Sequence, residues 1–168
     1  MRPYFYILAV LLVGGSIGYF IGQRTGGPGG LPSPSSRIQQ DDRAMIERLL
    51  DRQKEGYASH DEFLLFRDCA ASYVEINAST GEALSLQRAM IYYHELLKPG
   101  KAVNVLFDNL VVSVIQNAAL VQATYSKTSD LYEQQGFTGL TGKVLWLLSK
   151  ERDRWRIVAS AWTEEKKH

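Results

Sequence analysis

At 168 residues the chain is long enough for one domain of ordinary size plus short appendages. Its 19 basic and 18 acidic side chains leave a net charge of +1, so no basic face is offered to nucleic acid. Cys69 is the single cysteine, which excludes an internal disulfide and a cysteine-built metal site.

Pro3 to Gly22 is an uncharged run of 20 residues. As a helix at about 1.5 Å per residue it spans about 30 Å, the thickness of a bilayer's hydrocarbon core. Tyr4, Phe5 and Tyr6 at one end and Tyr19 and Phe20 at the other suit the two interfaces. A cleaved leader is the competing reading. It would have an apolar centre of roughly 7–15 residues and a small-x-small cleavage site. Here the run continues to Ile21 with no such site after it. Residues 1–22 are therefore read as a single-pass transmembrane anchor in the lipid bilayer. Arg2 and Arg24 nearly balance the flanks, and the tail before Pro3 is very short. The expected topology has a cytoplasmic N-terminus and an extracytoplasmic C-terminal domain, as in a bacterial inner membrane facing the periplasm. Gly14, Gly18 and Gly22 recur every four residues, which lines up one small-residue stripe and predicts self-association or pairing with a protein partner.

Residues 23–36 hold four glycines, three prolines and three serines, a composition that makes a tether and not a core. The domain is expected over residues 37–168. Ser36-Arg37-Ile38-Gln39 matches a capping box that starts a helix. Met45, Ile46, Leu49, Leu50, Gln53 and Tyr57 then share one helical face, and Gly56 weakens its last turn. Ser59-His60-Asp61 restarts the chain for a short second helix. Phe63, Leu64, Phe66 and Ala70 are its apolar positions, and Cys69 is a small buried hydrophobe on it.

Ser72 to Asn77 alternates as a strand, and Ala78-Ser79-Thr80-Gly81 turns the chain. A third helix is expected from Leu84 to Leu97, with Leu86, Met90, Tyr93 and Leu97 as its stripe and Pro99-Gly100 as its stop. Strands follow over 103–115, 120–132, 137–149 and 155–162. Asp108-Asn109 marks a bulge or bend, Gln116-Asn117 and Gln134-Gln135-Gly136 are turns, and Lys150 to Arg154 is a charged hairpin tip. Helices first and a meander afterwards indicate an α+β domain.

Three stretches in this order carry a resemblance: Tyr57-Ala58-Ser59-His60-Asp61-Glu62-Phe63; Tyr73-Val74-Glu75-Ile76; and Lys143 to Leu148 followed by Asp153-Arg154-Trp155-Arg156-Ile157. Together they resemble the nuclear transport factor two superfamily, with its SnoaL-like and ketosteroid-isomerase-like relatives. The resemblance implies a cone-shaped, strongly bent antiparallel sheet packed on three helices, with a pocket at its wide end. In the ketosteroid-isomerase-like relatives it also implies an Asp base at the end of the first strand. Here Ile76 or Asn77 stands there, and Glu75 is adjacent. The relatives' oxyanion-donating Tyr on the first helix falls at Gln53.

No nucleophile motif, phosphate loop, metal spacing or cofactor fingerprint is present, so no cofactor is expected. His60 reads as a surface residue of the turn. His94 reads as solvent-facing or interfacial, with Glu95 pointing away from it. Asp108 would gain base character if buried, but a bend residue bonded to the backbone is the preferred reading. The pocket candidates are Tyr57, Tyr73, Glu75, Asn77 and Asp108. An anchor, a tether and this fold resemble the extracytoplasmic subunits of secretion and transport complexes. The expected function is a membrane-held, non-enzymatic binding or assembly module. The alternative is a small-molecule binder or enzyme using the cone pocket.

Overall fold

The first long helix opens on a proline. The computed structural model describes residues 34–98, 103–130, 132 and 136–167, and within them helix α1 runs Pro34–Ser59. Proline suits a first helical position, where an N–H would have no intrahelical acceptor. Ser36 therefore lies inside the helix instead of capping it. Asp42, Ile46, Leu49, Leu50, Gln53 and Tyr57 form the buried stripe, and Met45 lies at its margin, 38 % exposed.

Gly56, expected to weaken the last turn of α1, is where a second helix packs closely on it. In α2, Glu62–Phe66, the backbone N of Leu65 sits 2.7 Å from where a Cβ on Gly56 would stand. Asp61 caps α2 by accepting from the Leu64 N–H at 2.9 Å. This helix is too short to hold all the positions expected on it. Phe63 is 71 % exposed, while Cys69 and Ala70 open strand β1, Cys69–Asn77. Burial pushes the Cys69 thiol up to about 12, so it stays protonated and inert.

Strand β2, Ala83–Ser85, takes Leu84 out of the expected third helix. Helix α3 runs Leu86–Leu96, and Ala89, Tyr93 and Leu97 fall on its inner face. Then come β3 Val103–Ile115, β4 Ala118–Ser129, β5 Gly139–Glu151, β6 Arg154–Trp162 and β7 Glu165–Lys167. The charged hairpin tip is narrower than expected: Arg152 and Asp153 alone turn, at φ 47° and 64°. Lys150 belongs to β5 and reaches back to the buried Asp42 of α1 at 2.7 Å. The same carboxylate oxygen accepts from the Trp155 indole at 3.0 Å.

The strands form one seven-stranded sheet in the order β2-β1-β6-β5-β4-β3, with β7 paired to β5. It is mixed and not wholly antiparallel. Strand β1 runs parallel to β6, with Val74 opposite Ala159 and Asn77 opposite Trp162. Local alternation marks a strand but not the direction of a distant partner, so the sequence pattern could not show this pairing. Register shifts lie between Cys69 and Val74, between Asp108 and Val111, and between Leu147 and Leu148. Asn109 supplies the second with a φ of 54°, at the expected bend. Such irregularities bend strands, and the sheet curls around the helices. The α+β class is as the sequence suggests, and so are the three helices α1 to α3 among the described residues. Among the described residues no helix is long and apolar enough to cross a membrane. The anchor expected at residues 1–22, with Gly14, Gly18 and Gly22, lies outside the described residues.

Candidate functional site

Strand β1 alternates across the sheet, so Tyr73, Glu75 and Asn77 share its inner face. Glu75 and Asn77 line a cavity of about 420 Å³. Helix α1 contributes Tyr57, helix α3 contributes Tyr92 and Tyr93, strand β4 contributes Tyr125 and Lys127, and β6 contributes Trp162. A semi-enclosed, aromatic cavity with a few converging polar groups is the usual form of a small-molecule site.

Two chains of hydrogen bonds end on the Glu75 carboxylate. Tyr57 donates to the Tyr93 hydroxyl at 3.3 Å, and Tyr93 donates to Glu75 Oε1 at 3.1 Å. On the other side, Trp162 Nε1 donates to Ser160 Oγ at 2.9 Å. The Ser160 and Tyr73 hydroxyls are 2.7 Å apart, and Tyr73 donates to Glu75 Oε2 at 3.0 Å. An indole N–H can only donate, so Ser160 accepts from it and passes its own proton towards Tyr73. Every donor in both chains thus points towards Glu75.

Burial raises the Glu75 carboxyl above its ordinary range, although the two tyrosine donors and the nearby Lys127 charge oppose this. Desolvation outweighs those contacts, because burial strips water from the charged form. Burial, followed by the Glu75 charge, lifts the hydroxyls of Tyr57, Tyr73 and Tyr93 well above the usual phenol range. They remain donors throughout the physiological range. Lys127 is 7 % exposed, and desolvation pushes its ammonium down to about 8 against the attraction of Glu164 and Glu75.

The structure brings four of the five sequence candidates together: Tyr57, Tyr73, Glu75 and Asn77. The Asn77 side chain also braces the following turn, accepting from Ser79 N at 2.9 Å and Thr80 N at 3.2 Å. Asp108 is the exception. It is exposed on β3 at the bulge and not among the cavity residues, so burial does not make it a base. Gln53, at the position of the relatives' tyrosine donor, is buried and donates to the Leu65 carbonyl at 3.5 Å. Tyr57, one helical turn later on the same face, enters the hydrogen-bond network instead. Ile76 and Asn77 carry no acid, and Glu75 is the carboxylate that β1 directs into the cavity. His94 lies outside this network and pairs with Glu62 Oε1 at 2.9 Å. That bond draws the Glu62 carboxyl down.

Lys127, Arg88, Glu82 and Glu164 also line the cavity, and sequence reading passed over them. Lys127 was traceable. Ala119, Val121, Ala123 and Tyr125 point inward on alternate positions of β4, and the same parity continues to residue 127. Among the described residues no group of His, Cys, Asp and Glu is arranged to hold a metal.

No family model and no curated protein matches the sequence. Solved structures do match the fold. An NTF2-like protein from Cytophaga hutchinsonii aligns at 14 % identity and TM-score 0.61, over 73 % of this chain and 98 % of its own. A provisionally assigned dehydratase of the NTF2-like family from Streptomyces avermitilis aligns at 13 % identity and TM-score 0.64, over 76 % and 98 %. A provisionally assigned scytalone dehydratase from Novosphingobium aromaticivorans aligns at 9 % identity and TM-score 0.66, over 77 % and 87 %. At these identities the similarity is one of fold, and the domain that begins at Pro34 has the NTF2-like fold.

Proposed function

We propose that the domain binds a small organic molecule in the Glu75 cavity and that Glu75 exchanges a proton with it. The observation that carries this reading is the convergence of two tyrosine donors on one carboxylate inside an aromatic pocket. A carboxylate whose pKa is raised by burial is a stronger general base than an ordinary one. The phenols of Tyr73 and Tyr93 hold it in place by donating to its two oxygens. Two of the structural neighbours carry provisional dehydratase assignments. Loss of water next to a carbonyl begins with removal of a proton from carbon, the step assigned here to Glu75.

Exchange of α-protons tests the assignment. A panel of small cyclic and aromatic ketones in D₂O should lose C–H signal faster with the protein than without it. Glu75→Gln should reduce that rate by about 10²-fold or more. Asp108→Asn should leave it unchanged, since Asp108 lies outside the pocket. Equal rates for wild type and the Glu75 variant would remove Glu75 from the chemistry.

A second reading keeps the domain as a binding or assembly module held at a membrane, outside the cytoplasm. The uncharged run of residues 3–22 supports the anchor. Strand β3 supports the partner surface: it ends the sheet and shows Leu106, Val111 and Ile115 at 63 %, 54 % and 56 % exposure. An open apolar edge strand is a surface on which a protein partner or a second copy can pair. The two readings are compatible, because the cavity and this edge are built from different residues.

A further inference from the structure

We propose that Lys127 is a nucleophilic amine that condenses with the carbonyl carbon of a small aldehyde or ketone held in this cavity; the assignment rests on the cavity being a ligand site. Strand β4 directs Lys127 inward, where it lines the same space as Glu75. Among the described residues none hydrogen-bonds or ion-pairs with its Nζ. Its Nζ lies over the faces of Tyr93 and Tyr57, with ring centroids 5.5 and 5.8 Å away. A buried amine with no direct ion pair, open to a cavity, is desolvated in the way that activates lysine as a nucleophile, and here that burial outweighs the attraction of Glu164 and Glu75. Its ammonium, pushed down to about 8 by burial, gives a sizeable neutral fraction near neutral pH.

The charge around Lys127 selects the ligand. Glu75, Glu82 and Glu164 line the cavity against Lys127 and Arg88, so an anionic ligand would add to an existing excess of carboxylate. A neutral carbonyl compound does not. The step balances without any further reagent. The Nζ lone pair adds to the carbonyl carbon, and the C=O π pair moves to oxygen, which takes a proton from a lining acid. The nitrogen of this carbinolamine loses a proton to a lining base, and the hydroxyl, once protonated, leaves as water. A C=N bond remains, and its protonated form withdraws electrons from the adjacent C–H. Glu75, in the same cavity, is the base that this C–H requires.

Reductive trapping on the full chain tests the amine separately from the base. The chain is incubated at pH 7.5 with 4-hydroxybenzaldehyde and cyanoborohydride, and the lysines are followed by peptide mass mapping. Lys127 should be labelled about tenfold faster than Lys143 or Lys166, its larger neutral fraction being partly offset by lower intrinsic nucleophilicity. Lys127→Arg should abolish the fast labelling while leaving the other lysines unchanged. Tryptophan quenching by the non-reactive 4-hydroxybenzyl alcohol reports occupancy of the pocket beside Trp162. Quenching with slow or absent labelling of Lys127 overturns the amine assignment and leaves the pocket standing. Fast labelling without Glu75-dependent proton exchange supports Lys127 and overturns the role of Glu75. Neither quenching nor labelling overturns both.

Discussion

Lys127 and Glu75 are ionisable groups that the fold holds in unfavourable surroundings, and each therefore affects stability as well as chemistry. Lysine's charged form is disfavoured in the fold, with a value of about 8 against 10.5 when free. Between those limits the unfolded chain binds more protons, so stability rises with pH across the window. Below pH 8 the buried charge opposes folding by on the order of 3 kcal/mol. Lys127→Met keeps most of the side-chain length without the charge. It should raise stability by up to that amount at pH 7, and by about half as much at pH 9.5. Denaturant melts at the two pH values check this, and a variant less stable than wild type at pH 7 would sink it. These residues differ in how far the sequence reveals them. Glu75 stands out because it adjoins the place on the first strand where the resemblance expects an acid, although alternation with Val74 and Ile76 alone would send it to solvent. Ser160 and Tyr93 do not, since their role depends on partners 87 and 18 positions away.

Among the elements, α1 and α2 meet most closely at Gly56. A Cβ there would fall 2.7 Å from Leu65 N and 2.8 Å from its Cα, both backbone atoms. Gly56→Ala gains about 1 kcal/mol of helix propensity, but it forces α2 outward. The net loss should be about 2 kcal/mol, seen as a fall in Tm of roughly 6 °C. A rise in Tm would show that propensity prevails and that the approach is loose. Helical and strand periods made most elements readable, including the bulge at Asp108-Asn109 and the two-residue turn after Ile115. What was unreadable were features set by contact: the short strands β2 and β7, the early stop of α2, and a glycine that a local reading takes for a breaker. The long reach of Lys150 to Asp42 belongs with them, since charge on a hairpin tip normally means only solvent.

For the molecule as a whole, the topology predicted from the N-terminal run is tested by a reporter fused after His168. The reporter should be active only on the extracytoplasmic side, and cytoplasmic activity would overturn the placement. The parallel pairing of β1 with β6 has a different consequence. Strand β1 lies early in the domain, and its partner residues Ala159 to Trp162 lie near the end. The Tyr73–Ser160 contact closes across 87 positions, so the entropy of that closure falls on β6, a strand that arrives late. The Glu75 network is therefore complete only when the whole domain has been synthesised and β6 has docked. No shorter fragment carries a finished pocket, and a chain that stalls before Trp162 presents an unpaired β1 edge to its neighbours.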